Sequence, residues 1–348
     1  MKKIYLLVLA IILCLNNLRG GNPDRQGEAG AYELLLNPWA RSLGFYTMNT
    51  SFIKGVEAMR LNVAGLTGIN RTEVLIGHSR YLSGTDIALN GLGLAQRVGD
   101  NGVLGISIVS LDFGDLIETT VQSPDGTGAT FSPSFFHLGV AYAHRFDNKV
   151  SVGILFRTIS ESTADLTAFG FALDAGIQYV AGPKDNFKFG ISLRNVGSPM
   201  KFGGEGLSFQ GENKDNNTIY DLTYEQRAAS FDLPSLLNIG MSYDFYATKN
   251  HRITALGNFT ANSFSRDQLG GGVEYSLREI FSIRAGYKHE LGANQHSVDR
   301  SVFTGFSAGA SFDMPLKKGS SRRLGIDYGY LTSRVFNGTH NLSVRISI

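Results

Sequence analysis

The sequence holds a single cysteine, Cys14, which falls inside an N-terminal apolar run expected to be removed on export. A mature chain without cysteine has neither a disulfide framework nor a thiolate metal site. Charge is scarce as well: 18% of the residues are Asp, Glu, Lys or Arg, against about 25% in a soluble protein. The 32 basic and 30 acidic residues leave a net charge of +2, which lacks the basic excess that a nucleic-acid partner demands. Beyond the N-terminal run, no stretch approaches the roughly 18 apolar residues that a membrane-spanning helix needs. Tryptophan occurs once. What is abundant is glycine, with 42 residues, together with 23 Phe and 14 Tyr. Low charge without long apolar runs is the signature of alternation, in which a strand faces lipid on one side and a polar interior on the other.

The N-terminus reads as a secretory signal over residues 1–21. Lys2 and Lys3 supply its positive end, Ile4 to Leu15 its apolar centre, and Asn16, Asn17, Arg19 and Gly20 its polar close. Cleavage is expected near Gly20 or Gly21. A lipoprotein reading of Cys14 is disfavoured because Leu13 stands where a small residue is required.

From about residue 71 the apolar period is two. Phe136, Leu138, Val140 and Tyr142 oppose His137, Gly139, Ala141 and Ala143, while Phe187, Phe189, Ile191 and Leu193 oppose Lys188, Gly190, Ser192 and Arg194. Leu342, Val344 and Ile346 oppose Asn341, Ser343 and Arg345. This pattern predicts an all-β fold: a transmembrane antiparallel β-barrel of about 14 strands over residues 71–348. The strands are expected at 71–82, 85–98, 102–113, 135–147, 149–161, 170–182, 186–197, 235–247, 251–262, 267–277, 280–291, 303–313, 322–332 and 339–348. Short turns alternate with longer connections at 114–134, 162–169, 198–234 and 292–302, as they do when turns of one kind face the periplasm. Residues 22–70 break the period and read as an N-terminal plug or hatch segment, or equally as a periplasmic cap.

Charges on the minority face are expected to line the lumen: Arg145, Arg157, Arg194, Arg284, Lys288, Asp327 and Arg345. With both signs mixed, an ion-paired interior is favoured over a selective channel. The connection at 198–234 carries Phe202, Phe209, Tyr220, Tyr224 and Phe231 among polar residues. Such aromatics suit either a protein partner or closure of the loop over its own barrel mouth. Catalytic signals are weak. Gly77-His78-Ser79 begins like a nucleophile elbow but lies in a strand pattern. The seven histidines show no metal-ligand spacing, and no cofactor is implied.

Two stretches resemble the PorV/PorQ family, outer-membrane proteins related to the FadL long-chain fatty-acid transporters. One runs Ala40-Arg41-Ser42-Leu43-Gly44, then Gly55-Val56-Glu57-Ala58, then Asn62-Val63-Ala64-Gly65-Leu66. It departs from the family pattern at Phe45-Tyr46, where Met-Gly is usual, and at Val63, where proline is usual. The other runs from Ser110-Leu111-Asp112-Phe113-Gly114-Asp115 through Ser123-Pro124-Asp125-Gly126 to Leu138-Gly139-Val140, and continues at Leu193-Arg194-Asn195-Val196-Gly197. The resemblance implies a fourteen-stranded barrel in the outer membrane of a Gram-negative bacterium, with a plug motif at Arg41, Gly44, Asn62 and Gly65. It further implies a non-enzymatic role beside the type IX secretion machinery, with secretion-system proteins or secreted cargo as partners. The FadL relationship supplies the alternative, a route for a hydrophobic or small solute.

Overall fold

The computed structural model describes residues 21–147, 149–215, 218–292, 301–317 and 320–348. The expected export signal and most of the 292–302 connection lie outside the described residues. In chain order the strands are β1 (Thr72–Arg80), β2 (Ala88–Val98), β3 (Gly102–Asp112), β4 (Leu116–Ile117), β5 (Thr130–Phe131), β6 (Ser134–Arg145) and β7 (Val150–Thr163). There follow β8 (Leu166–Ala181), β9 (Phe187–Gly197), β10 (Met200–Gly203), β11 (Ser208–Asp215), β12 (Thr218–Glu225), β13 (Ser230–Phe231) and β14 (Leu236–Thr248). The last six are β15 (His251–Asn262), β16 (Gln268–Leu277), β17 (Phe281–Glu290), β18 (Phe303–Pro315), β19 (Arg323–Ser333) and β20 (Thr339–Ser347).

Of the sixteen strands in the main sheet, all but the short β10 and β13 form one closed antiparallel ring, completed where β1 pairs with β20. These fourteen match the expected fourteen to within a few residues. Closure pairs the backbone N–H and C=O groups from strand to strand around the ring, the condition for crossing hydrocarbon without helices. Side chains alternate accordingly. Ile76, Leu92, Ile106, Val140, Ile154, Leu173, Ile283 and Leu342 are exposed on the outside, whereas Leu75, Ala95, Ala141, Arg157 and Asn341 are buried inside.

The longest loops gather at one end. Six connections of two to seven residues, such as 99–101, 249–250 and 316–322, stand at the opposite end. The long-loop end carries 113–133, 198–235 and 291–302 beside shorter connections such as 81–87 and 263–267. The expected long connection at 162–169 is corrected: β7 and β8 run on to Thr163 and Leu166, leaving only Ala164 and Asp165 between them. Ala164 holds φ at 45°, a conformation that an alanine rarely adopts and that its identity does not advertise.

Residues 29–70 run through the ring, with 22–28 on its long-loop rim. The segment begins at the long-loop end, where Asn22 N donates to Ser265 O at 3.0 Å and the Arg25 guanidinium sits 4.1 Å above the Phe264 ring. It leaves at the short-turn end, where the Thr67 and Ser151 hydroxyls bond at 3.0 Å and Arg97 Nη2 donates to Thr67 O at 3.1 Å. Between these points Trp39, Val56, Met59, Val63 and Leu66 pack against Leu75, Val103, Ala141 and Leu155 of the wall. Inward glycines make room for this filling. A Cβ on Gly91 would come 2.7 Å from the Trp39 ring, and one on Gly153 would come 2.6 Å from the Val63 carbonyl carbon. The backbone at Val63 cannot yield as a flexible side chain would. Gly153→Val is therefore expected to destabilise the barrel by about 1–3 kcal/mol, read as a lower urea midpoint in detergent.

Candidate functional site: a cavity beneath the long-loop mouth

Ion pairs close the middle and the short-turn half of the interior. Arg157, 3% exposed, bonds Asp174 Oδ2 and Asn195 Oδ1, each at 2.8 Å, and Asp174 Oδ1 accepts the Asn195 N–H at 2.6 Å. Asn195 sits at φ 58° where the β8–β9 register shifts, so this triad pins an irregularity of the wall. Arg284 bonds Glu274 at 3.1 Å and the Ser311 hydroxyl at 2.6 Å, and that hydroxyl in turn bonds Asp327. Arg345 bonds Asp313 at 2.7 Å. At the rim, Arg252 holds Glu279 through two hydrogen bonds of 2.7 and 2.9 Å, which keeps that carboxyl below its usual range. Arg145, although on the inward face by parity, is exposed at the short-turn rim and does not line the interior.

The remaining two expected lumen charges differ from the rest. Arg194 is 5% exposed, spends Nη2 on Leu34 O at 3.3 Å, and leaves Nε without a partner. Lys288 Nζ lies 4.8 Å above the Tyr46 ring and forms no salt bridge among the described residues. Both border a cavity of about 320 Å³ between the inner segment and the long-loop half of the wall. Its apolar lining comes from Leu35, Leu36, Leu43 and Tyr46 of the inner segment and from Tyr81, Leu89, Leu236, Val302, Phe303 and Leu331. Asn37, Ser79, Asn238, Thr260 and Thr339 add uncharged polar groups, and no carboxylate lines it among the described residues.

Beside this cavity the wall is interrupted. The β17–β18 ladder stops at Tyr287 and Phe306 although β17 continues to Glu290. On its other edge β18 shifts register against β19 between Phe303 and Ser307. A second cavity of about 330 Å³ occupies this place, shares Tyr46, Gln268, Lys288, Ser301 and Phe303 with the first, and reaches the outward-facing Tyr287 and His289. A bulge of this kind re-aims side chains and ends pairing locally.

The four residues of the expected plug motif have distinct places. Gly44 abuts the wall, where its carbonyl accepts from Ser307 Oγ at 3.1 Å and a Cβ would lie 3.1 Å from Gly309 Cα. Asn62, fully buried, donates to Thr50 O and to the wall carbonyl of Ile177, both at 3.0 Å, and its Oδ1 accepts from Ala64 N at 3.3 Å. That side-chain cap holds the helical turn Val63–Gly68 without the proline of the family pattern. Gly65 O accepts from Gly55 N at 3.0 Å, which ties two turns of the inner segment together. Arg41 is half-buried, and its charge acts on Glu57, Glu274 and Asp327.

The expected partner loop divides. Phe202 and Phe231 pack on the buried cluster of Leu34, Ile159, Met200 and Leu233 and so cover the barrel mouth. Phe209, Tyr220 and Tyr224 are exposed on the β11–β12 hairpin, where Phe209 and Tyr224 stack with ring centroids 5.6 Å apart. The elbow-like Gly77-His78-Ser79 places His78 outward against Asn90 and Ser79 inward against Asn341. A nucleophile and its base cannot meet across the wall.

Apart from Arg194 and Lys288, sequence reasoning missed the cavity residues, which come from segments as distant as Tyr32 and Thr339. One signal was present. Phe45-Tyr46, the departure from the family pattern, puts Tyr46 at the junction of both cavities.

A closed fourteen-stranded barrel filled by its own N-terminal segment defines a membrane β-barrel of the outer-membrane kind. The structure is similar to the Pseudomonas putida toluene transporter TodX (12% identity, 89% of this chain and 97% of that one, TM-score 0.56). It is also similar to the monoaromatic hydrocarbon channel CymD (14% identity, 90% and 97%, TM-score 0.55). At these identities the likeness establishes a shared fold. No family model and no curated protein matches the chain.

Proposed function

We propose that the protein is a non-enzymatic outer-membrane route for a small, largely apolar solute, with residues 22–70 as its plug. The long loops then face the outside and the short turns the periplasm. The observation that carries this reading is the apolar cavity of about 320 Å³ under the long-loop mouth, with Arg194 and Lys288 at its border. Its size lies at the small end for ligand pockets, which fits one ring or a short chain. The two cations favour a solute with an electron-rich or acidic end. The interrupted β17–β18 ladder offers a way out of the cavity that bypasses the ion-paired interior below it. The likeness to TodX and CymD supports the same substrate class, because their names describe hydrocarbon transport.

The test is direct binding and uptake with toluene and a short alkanoate as probes. Wild-type protein is expected to bind one probe saturably, and Leu89→Trp, which fills the cavity from a 1% exposed position, is expected to weaken binding at least about tenfold, the equivalent of about 1.4 kcal/mol. Equal binding by both proteins refutes the site.

A second reading follows from the PorV/PorQ resemblance and the exposed aromatic face of β11–β12. In that reading the hairpin is a docking surface for the type IX secretion machinery or its cargo. It predicts that deletion of 208–225 strands surface proteins in the periplasm while solute uptake persists; unchanged surface display removes it.

A further inference from the structure

The two ends of the barrel differ in charge. At the short-turn end Arg71, Arg145, Lys249, Arg278, Lys317 and Arg322 are all exposed and make no side-chain hydrogen bond or ion pair among the described residues. Of the carboxylates of that end, Asp100 and Asp147 are exposed without a cation partner among the described residues, and three others are committed. Asp185 pairs with Lys149 at 2.6 Å, Glu279 with Arg252 at 2.7 Å, and Asp313 with Arg323 at 2.6 Å and Arg345 at 2.7 Å. At the long-loop end the balance is reversed, with Asp86, Asp125, Asp165, Glu205 and Asp221 exposed and without a cation partner among the described residues.

Position tells what the cations meet. They lie on the segment before β1, at the end of β6, and in the β14–β15, β16–β17 and β18–β19 turns, five of the six on the half of the ring from β14 to β1. Just inward of them runs a girdle of exposed, outward-facing aromatics that includes Phe146, Phe245, Phe281 and Phe312. Aromatic girdles mark the edge of the hydrocarbon layer. Lys184, in the β8–β9 turn, places its Nζ 5.8 Å over the Tyr246 ring at the rim. Long basic side chains at such an edge extend from apolar surface into the headgroup layer. With Arg145 at the end of β6 and exposed Lys184 in the β8–β9 turn, cations stand on both halves of the rim, as contact with a lipid annulus requires.

We propose that the short-turn end is a cationic collar that binds anionic phospholipid headgroups in the leaflet it faces. The proposal rests on the reading of the chain as an outer-membrane barrel with its short turns periplasmic, and it makes the anionic lipids of the inner leaflet the partner. Each lipid phosphate meets an unpaired guanidinium or ammonium beneath an aromatic ring, and the acidic opposite end repels the same headgroups. Lipid asymmetry and barrel orientation then reinforce one another.

The experiment uses full-length mature protein in phosphatidylcholine bilayers doped with chain-spin-labelled phosphatidylglycerol or phosphatidylcholine, and reads the motionally restricted lipid fraction. Labelled phosphatidylglycerol is expected to associate about fivefold more strongly, the effect of one basic residue at an anionic headgroup, and the preference is expected to fade as salt is raised. Changing the six collar residues to Gln should bring the ratio to one, whereas Lys201→Gln with Arg227→Gln at the other end should leave it unchanged. Because the salt series on unaltered protein needs no variant, misfolding of the six-fold variant does not shelter the proposal. Equal association of both lipids with unaltered protein at low salt overturns it, even if an acidic protein is found to bind the same end. Solute binding is measured separately, so loss of the lipid preference and loss of the transport reading are distinguishable.

Discussion

A cysteine placed at position 24 is expected to react fully, on intact cells, with a maleimide carried on a polymer too large to enter the barrel. A cysteine at position 249 is expected to stay at background until the outer membrane is opened. Asp24 is exposed beside the long-loop mouth, because its neighbours Asn22 and Arg25 are fixed to Ser265 and to the Phe264 ring. Lys249 stands in the two-residue turn at the opposite end. The sequence contains only Cys14, within the expected signal, so Asp24→Cys and Lys249→Cys each supply the sole mature thiol. The expected contrast is nearly all-or-none. Labelling in the reverse order inverts the orientation, and labelling of neither on intact cells places both ends out of reach.

Asp174→Ala is expected to cost about 3–5 kcal/mol, the usual loss when one member of a buried ion pair is removed. Arg157 is then left 3% exposed without its carboxylate, and the Asn195 N–H loses the acceptor that holds the β8–β9 irregularity. The measurement is the urea midpoint for unfolding from detergent. Combining Arg157→Met with Asp174→Asn removes both charges and retains an oxygen for Asn195, so most of the lost stability should return. A change for Asp174→Ala within about 0.5 kcal/mol, the range of surface substitutions, would show that water reaches the pair freely.

The wall was legible because hydrocarbon outside and packed chain inside impose period two over long stretches. Phe187 to Arg194 shows it: alternate apolar residues face out, and Lys188, Gly190, Ser192 and Arg194 face in. The β7–β8 turn was misjudged because Ala164 carries no turn signal, although Asp165 does. The β11–β12 hairpin was read as loop because its polar face is rich in Gln, Glu, Asp and Thr, residues that also fill irregular connections. Residues 22–70 carry no period because single contacts hold them, such as Asn62 on Ile177 O and Ala40 N on Ser343 Oγ. The cavity was illegible for a related reason. Its lining is joined only by closure of the ring, which brings Leu36, Leu89 and Leu331 together from separate parts of the chain.

The ladder between β1 and β20 joins the first wall strand to the last, and the inner segment precedes β1 yet begins at the far mouth. Filling and hoop therefore interlock: the chain enters at one mouth, packs Trp39 and its neighbours along the bore, and turns at the far end into the very strand whose pairing shuts the circle.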